Sequence, residues 1–447
     1  MRSFFVNIKA KAILFLCVFS ALSNQACEKE RADFSEDPVV KIYPEIKRQI
    51  ITSVGGNYCQ ANYTGKAWDL VGETTLQEFK PSHVRVALPL QFVNLQYEAY
   101  KGGKILGQPA VESLLRAMKL MKEEYGVTNF TVSVWRVADE LVENPENQNK
   151  RRIKPDKYMA VIDMIEAFLV KAKDTYGVEA DYFSFNESNG GYMTIFSPEE
   201  TIRFVKMAGE RFGEAGLKTR FLWGDTSSTK TTVDFASKIA ADSSILKYLG
   251  PLSFHSWWSA DIPDTEFERI AGLAEKSGQP VWCTELGFDA MAHRTKGIFE
   301  TWDYALRFAQ ISHRVFRYAK AEVSMFWTWQ KNYEIMSADA KIKYPIYYIT
   351  RQQTDFLNNL QVVGSQSSDS DILPLCGYDK DNRLIVQLVN VKKKPVSVRL
   401  ENITGRKAKL VTTTQDELWK EKKVSLKPWQ DAGVINLEAE SVNTLIF

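Results

Sequence analysis

Two glutamates of this chain stand in the same local setting. Glu187 follows Phe183-Ser184-Phe185-Asn186, and Glu285 follows Val281-Trp282-Cys283-Thr284, so each carboxyl emerges from a short, largely apolar run. A carboxyl at the end of a buried strand must be desolvated or hydrogen-bonded, and desolvation raises its pKa. Two such groups facing each other are the equipment of glycoside hydrolysis, one as acid/base and one as nucleophile. Taken singly, either glutamate reads as a rim carboxylate satisfied by an arginine or a backbone amide. The pair, with the partners that follow, argues for chemistry. Arg85, in His83-Val84-Arg85-Val86-Ala87, is placed to hold a carboxylate ionised through a bidentate pair. His255 ends another run in Ser253-Phe254-His255-Ser256-Trp257-Trp258, although a lone histidine is more often structural. Trp135, and Trp327 with Trp329, close two further runs. Indoles at the mouth of a site offer flat apolar faces to sugar rings, and core packing is their ordinary alternative. Alternation along a strand lets only one of Trp327 and Trp329 point inward, and Trp329 is expected to be that one.

These residues need elements to position them. Eight short apolar runs serve as strand candidates: residues 50–55, 82–89, 129–135, 180–186, 219–225, 251–256, 280–286 and 323–329. Each gap between them has room for a helix. Tyr158, Ile162, Ile165 and Leu169 fall on one helical face, and Ser197-Pro198-Glu199-Glu200 reads as a capping box that opens another helix. Eight strand–helix units describe a (β/α)8 TIM barrel better than an open doubly wound sheet. An open sheet would want a glycine-rich phosphate loop, but Gly55-Gly56-Asn57-Tyr58 lacks that spacing. In a barrel, active groups sit at the C-terminal ends of the strands, which puts Glu187 on strand four and Glu285 on strand seven. After residue 350 the texture changes. Residues 364–371 are polar and read as a linker or loop, and short alternating segments follow to the C-terminus. They predict an antiparallel β-sandwich over residues 360–447, with a possible added strand at 39–43.

The pattern resembles clan A of the glycoside hydrolases. The resemblance rests on Asn186-Glu187 at strand four, Glu285 at strand seven, Arg85 at strand two, His255 at strand six and Trp329 at strand eight, and covers the barrel, residues 47–350. The C-terminal β-module, Val54-Gly55-Gly56 and Ser133-Val134-Trp135 look most like the family-30 glycoside hydrolases. The resemblance implies that Glu187 is the acid/base, Glu285 the nucleophile, Asn186 a partner of the sugar 2-hydroxyl, and Arg85 an orienter of Glu285. It also implies retention of anomeric configuration without a metal. Further substrate contacts are expected from His255, Trp135, Trp257, Trp329 and Tyr192, and from the loops at 90–107 and 189–196. Two departures stand out. Ser188 replaces the proline that usually follows the acid/base, and His255-Ser256-Trp257 replaces the usual His-x-Tyr. The tyrosine that often contacts the nucleophile is thus missing there, and Tyr333 or Tyr192 would have to reach in from a loop. The retaining route fixes the carboxyl separation at about 5–5.5 Å, against about 6.5–9.5 Å for inversion.

Composition sets the outer limits. The 447 residues are 45% hydrophobic and 25% charged, with 57 Lys and Arg against 55 Asp and Glu, so no basic excess points to nucleic acid. Residues 1–11 carry three positive charges, and residues 12–22 form an apolar run too short to span a bilayer, which together read as a signal peptide. Ala26-Cys27 after that run resembles a lipoprotein cleavage site. Residues 1–26 are therefore expected to be removed, Cys27 to be lipidated, and 27–46 to form a tether and the possible strand. A plain secretory peptide is the alternative. The protein is thus expected to be exported and to touch a membrane only through that anchor. Of five cysteines, Cys59, Cys283 and Cys376 remain, widely spaced, with neither a disulfide framework nor a metal motif. No cofactor is expected, and the partner is a carbohydrate. The expected reaction is retaining hydrolysis of β-glycosidic bonds. A non-catalytic glycan-binding lipoprotein and a transglycosylase on the same barrel are the competing readings. A serine hydrolase finds no GxSxG support, and Cys283 reads as a buried structural thiol.

Overall fold

The computed structural model of the chain describes residues 35–59, 69–90, 109–190, 193–330 and 333–447. Eight parallel strands close into a barrel: β2 (Ser53–Tyr58), β3 (His83–Ala87), β4 (Asn129–Val134), β7 (Tyr182–Phe185), β8 (Arg220–Thr226), β9 (Leu249–His255), β10 (Val281–Leu286) and β11 (Ala321–Phe326), with β11 pairing back to β2. A small hairpin of β5 (Val142–Glu143) and β6 (Arg152–Ile153) follows the third barrel strand. All residues of β2, β3, β9 and β10 are buried, because a barrel strand is covered by side chains inside and by helices outside. This double burial is why the strands read as continuous apolar runs.

The helices are α1 (Leu70–Phe79), α2 (Pro109–Tyr125), α3 (Tyr158–Tyr176), α4 (Pro198–Glu214), α5 (Thr229–Ala240), α6 (Asp264–Ser277), α7 (Trp302–Arg317) and α8 (Pro345–Leu357). In α3 the expected face of Tyr158, Ile162, Ile165 and Leu169 is buried, and Gly177 ends the helix in the left-handed region at φ 68°. In α4 the Ser197 side chain accepts from the Glu200 amide while the Glu200 carboxylate accepts from the Ser197 amide, completing the capping box. Among the described residues no helix is long and apolar enough to cross a membrane.

The second module is one hydrogen-bonded sheet of ten strands. Its members are β1 (Val39–Ile51), β12 (Leu360–Ser367), β13 (Ile372–Tyr378), β14 (Leu384–Asn390), β15 (Val396–Glu401), β16 (Lys407–Thr413), β17 (Lys420–Ser425), β18 (Lys427–Trp429), β19 (Ala432–Leu437) and β20 (Ser441–Ile446). Pairing is antiparallel except between β1 and β15. Leu410 of β16 and Ile435 of β19, near opposite edges, share one apolar cluster with Val40 and Leu388, so the sheet curls over itself into a sandwich. It docks on the barrel through α7 and α8. His313 lies 3.0 Å from the Pro374 carbonyl, and Gln352 donates to Thr413 and accepts from Thr444.

Three sequence expectations need correction. The first barrel strand runs 53–58 rather than 50–55, because Ile50 and Ile51 end β1 and the break at Thr52 falls inside one apolar stretch. The polar run at 364–371 is not a linker: residues to Ser367 belong to β12, whose register with Val40–Tyr43 of β1 satisfies the backbone despite the polar side chains. Trp329 does not line the site. The strand stops at Phe326, so alternation no longer governs the residues beyond it. Trp329 is fully buried against Phe79, with ring centres 5.0 Å apart, and against Tyr58. Gly56 makes room for it, since a Cβ there would lie 2.4 Å from the indole.

Candidate active site

Arg85 lies at the centre of the barrel's C-terminal end, fully buried. β3 carries it between β2 and β4, so its guanidinium reaches across the barrel interior. Nε donates to Ser133 Oγ at 2.8 Å, Nη1 to Glu285 Oε1 at 2.7 Å, and Nη2 to Asn186 Oδ1 at 2.7 Å and Asp225 Oδ2 at 2.9 Å. The expected bidentate pair with one carboxylate is instead a fork shared between two. Asn57, at the end of β2, accepts from Nη1 at 3.3 Å and donates to the Thr284 carbonyl at 2.8 Å. Asn186 spends its carbonyl oxygen on Arg85, which leaves its amide nitrogen as a donor.

Glu285 is 3% exposed and has its two oxygens divided. Oε1 faces Arg85, while Oε2 accepts from Trp257 Nε1 at 2.9 Å and lies 3.2 Å from His255 Nδ1. The same His255 nitrogen is 3.2 Å from Glu187 Oε1, and its Nε2 is 3.4 Å from Asp225 Oδ1. Asp225 also accepts from Thr284 Oγ1 at 2.5 Å and Ser184 Oγ at 2.8 Å. Its backbone and that of Glu187 sit in the left-handed region, at φ 40° and 48°. Non-glycine residues there carry strain of about 1–3 kcal/mol each. Surrounding bonds hold them: Glu187 N–H donates to the Asp225 carbonyl at 3.0 Å, and Asp225 N–H to Ser253 Oγ at 3.0 Å.

The charges follow from these contacts. Burial alone would lift the Asp225 carboxyl, but Arg85, His255 and Thr284 hold it well below the usual carboxylate range. Burial opposes charge on His255, yet Glu285, Asp225 and Glu187 outweigh it and raise the imidazole to about 9. Burial pushes the Glu285 carboxyl up, against the pull of His255 and Arg85, and the neighbouring Glu187 adds to the rise. A buried carboxylate so placed gains charge only through its hydrogen-bond donors.

Beside this cluster, the Arg85 guanidinium stacks over the Trp135 ring at 4.6 Å, and Trp135 meets Trp327 at 5.8 Å with planes 37° apart. Both indoles are half-buried, leaving apolar faces at the barrel mouth. Trp327 thus takes the place expected of Trp329. Of the residues singled out from the sequence, the structure brings together Glu187, Glu285, Asn186, Arg85, His255, Trp257 and Trp135. Tyr192 and Cys27 lie outside the described residues, as does most of the 90–107 loop. Tyr333 does not reach Glu285: its hydroxyl donates to the Ala290 carbonyl at 2.5 Å. Sequence reasoning missed Asp225 and Asn57. Both close barrel strands, five and one, and the rule that exposed Glu187 would have found them.

Glu187, His255 and Glu285 each offer one ligand atom, all within 4.8 Å of one another. A cation bridging them would compete with Arg85 and Trp257, whose N–H groups already hold both oxygens of Glu285. The donor set therefore fits hydrogen bonding better than a metal.

A closed eight-stranded parallel barrel with this mostly antiparallel sheet is the architecture of the family-30 glycoside hydrolases in clan A. The chain is similar to a GH30 endoxylanase from Clostridium papyrosolvens C71, with a TM-score of 0.72, 17% identity, and 91% of this chain and 99% of that one covered. It is similar to the GH30 subfamily 8 xylanase Xyn30A from Clostridium acetobutylicum, with a TM-score of 0.73, 16% identity and coverage of 91% and 99%. It is also similar to the endo-β1,6-glucanase BT3312, with a TM-score of 0.63, 13% identity and coverage of 91% and 94%. No protein-family profile and no curated protein matches the sequence. At these identities the likeness concerns the fold.

Proposed function

We propose that the protein is a retaining glycoside hydrolase that cleaves β-glycosidic bonds in a polysaccharide or oligosaccharide. The observation that carries this is the pairing of Glu187 and Glu285 across His255, with ligand oxygens within 4.8 Å. Facing oxygens this close support the short carboxyl separation of retaining enzymes, ~5–5.5 Å, over the ~6.5–9.5 Å of inverting ones. In the first step, Glu285 attacks the anomeric carbon while Glu187 gives its proton to the departing glycosidic oxygen. In the second, Glu187 takes a proton from water, which attacks the same carbon and releases Glu285. Arg85 and Trp257 hold the nucleophile, the Asn186 amide nitrogen is free to donate to a sugar hydroxyl, and Trp135 and Trp327 offer flat faces to the ring. Similar structures include xylanases and a β1,6-glucanase, which sets the linkages to test first.

The test is purified 28–447 incubated with a panel of β-linked glycans, products followed by chromatography, with Glu187→Gln and Glu285→Gln as controls. Cleavage by wild type and its loss in folded Glu285→Gln is the expected result. Binding of a glycan without turnover would favour a binding protein, and products longer than the substrate a transglycosylase. We also read the amino-terminal segment as a lipoprotein signal with acylation at Cys27. Membrane association that survives Cys27→Ser would overturn that reading.

A further inference from the structure

The loop after β9 is clasped onto β10 in a way that the two-glutamate mechanism alone does not require. Ser256 N–H donates to the Glu285 carbonyl at 3.0 Å, Ser256 Oγ donates to the Gly287 carbonyl at 2.6 Å, and Gly287 N–H returns a bond to Ser256 Oγ at 3.0 Å. This fixes the next residue, Trp257, which is 3% exposed. Its indole lies against Gly287, where a Cβ would come within 2.2 Å of the ring, and against Tyr333, with ring centres 5.7 Å apart. The slot is shaped for an indole, and it aims Nε1 at Glu285 Oε2 at 2.9 Å.

Oε2 is the oxygen that matters. Oε1 is turned to Arg85, whereas Oε2 shares His255 Nδ1 with Glu187 and so faces the second glutamate across the cleft. The indole N–H is a donor only and does not ionise in the working range, so its bond strengthens and weakens solely with the charge on Glu285. A donor that stabilises a carboxylate makes it a weaker nucleophile and a better leaving group.

We propose that Trp257 is a positioning residue that fixes Glu285 Oε2 and favours its departure over its attack. In the first half-reaction, the bond from Oε2 to the anomeric carbon forms as the bond to the glycosidic oxygen breaks, and the carboxylate charge facing Trp257 is spent. In the second, water supplies the new bond to that carbon, its proton goes to Glu187, and the electron pair of the breaking bond returns to Oε2. Trp257 N–H stabilises that returning charge. The kinetic part rests on the hydrolase reading above; the hydrogen bond itself does not.

The kinetic test uses dinitrophenyl β-xylobioside and dinitrophenyl β-gentiobioside, which bear a leaving group good enough to make the first step fast. Trp257→Phe keeps a ring against Tyr333 and removes the donor. It should move the acid limb of kcat/KM upward by about 1–2 pH units, the scale of one hydrogen bond to a charged group. It should also lower kcat, which on these substrates is set by release of Glu285. Trp257→Tyr, which restores a donor, should recover part of both. An unchanged acid limb with an unchanged kcat overturns the proposal. A measurement on the intact chain covers the case in which Trp257→Phe fails to fold. Of the eleven indole N–H resonances, one should titrate with acid in wild type and stop doing so in Glu285→Gln. The absence of any such resonance refutes the hydrogen bond. Failure of every glycan to be cleaved would instead refute the hydrolase reading, with the indole titration still deciding whether the contact exists.

Discussion

Replacing Arg85 by methionine keeps the reach of the side chain and deletes its charge and its donors. Five hydrogen bonds go, to Asn57, Ser133, Asn186, Asp225 and Glu285. Two carboxylates, 2% and 3% exposed, then lose their guanidinium. Removing one partner of a buried ion pair costs about 3–5 kcal/mol, because the remaining charge stays buried without its counterion. For a unit the size of this barrel that corresponds to a fall in melting temperature of about 5–15 °C. The pH dependence is more diagnostic than the size. In wild type the folded Asp225 pKa is depressed, so its stabilisation is present above the ordinary aspartate value and is lost as pH falls through its lower folded value. Without Arg85, burial acts with less opposition and Asp225 takes up a proton in mild acid. The stability gap between wild type and Arg85→Met should therefore be widest near pH 7–8 and shrink toward pH 5. Adding Asp225→Asn to the variant should return part of the loss at neutral pH. Calorimetric melts of the three proteins from pH 5 to 8 measure this. A gap below about 1 kcal/mol at pH 7, or one that does not change with pH, would refute the idea that Arg85 neutralises a buried carboxylate pair.

Asp225→Asn alone should lower the His255 midpoint from about 9, visible in the imidazole C–H resonances. His255 stabilises the fold below its unfolded pKa of about 6.5 and that contribution fades as pH rises through 9, so the variant should lose stability chiefly on the acid side; an unmoved midpoint would contradict this. Trp327→Ala should raise KM about tenfold or more with a minor change in melting, while Trp329→Ala should cost about 3–5 kcal/mol of stability; the reverse pattern would restore the alternation argument. Gly56→Ala should destabilise by about 1–3 kcal/mol, since the added methyl meets the Trp329 ring at 2.4 Å, and an unchanged melt would show that the indole can shift aside.

The barrel was legible because parallel strands buried on both faces write themselves as apolar runs, and the helices between them as amphipathic ones. The site was legible for a second reason. Barrel chemistry gathers at strand ends, so Glu187, Glu285, Arg85 and His255 could be picked out by position before any contact was known. The same rule extends to strands one and five, where it points to Asn57 and Asp225. What failed was inference across an element boundary. Strand alternation points Trp329 inward, but β11 ends three residues before it. The polar run at 364–367 reads as a loop, yet pairing with β1 satisfies its backbone whatever its side chains. The indole donor to Glu285 had a visible cue in Trp257, but its direction depends on the clasp between Ser256 and Gly287, which joins residues 31 apart.

Strand β1 sets a problem of timing. It lies in the middle of the ten-stranded sheet, yet Val40 pairs with Ser367 and Leu400, more than three hundred residues later in the chain. A polypeptide that emerges amino end first, at about 5–20 residues per second, leaves this strand without its neighbours for roughly 15–65 s. Its composition suits the wait. Pro44 interrupts the row of amide donors, and Lys41, Glu45, Lys47 and Arg48 break up the apolar positions, which makes self-association in a cross-β stack unfavourable. The same pairing means that the carboxy-terminal strands cannot be cut away cleanly. A shortened chain ending after α8 would carry an orphaned strand fused directly to the first stave of its barrel, so aggregation rather than a free-standing barrel is the outcome to expect.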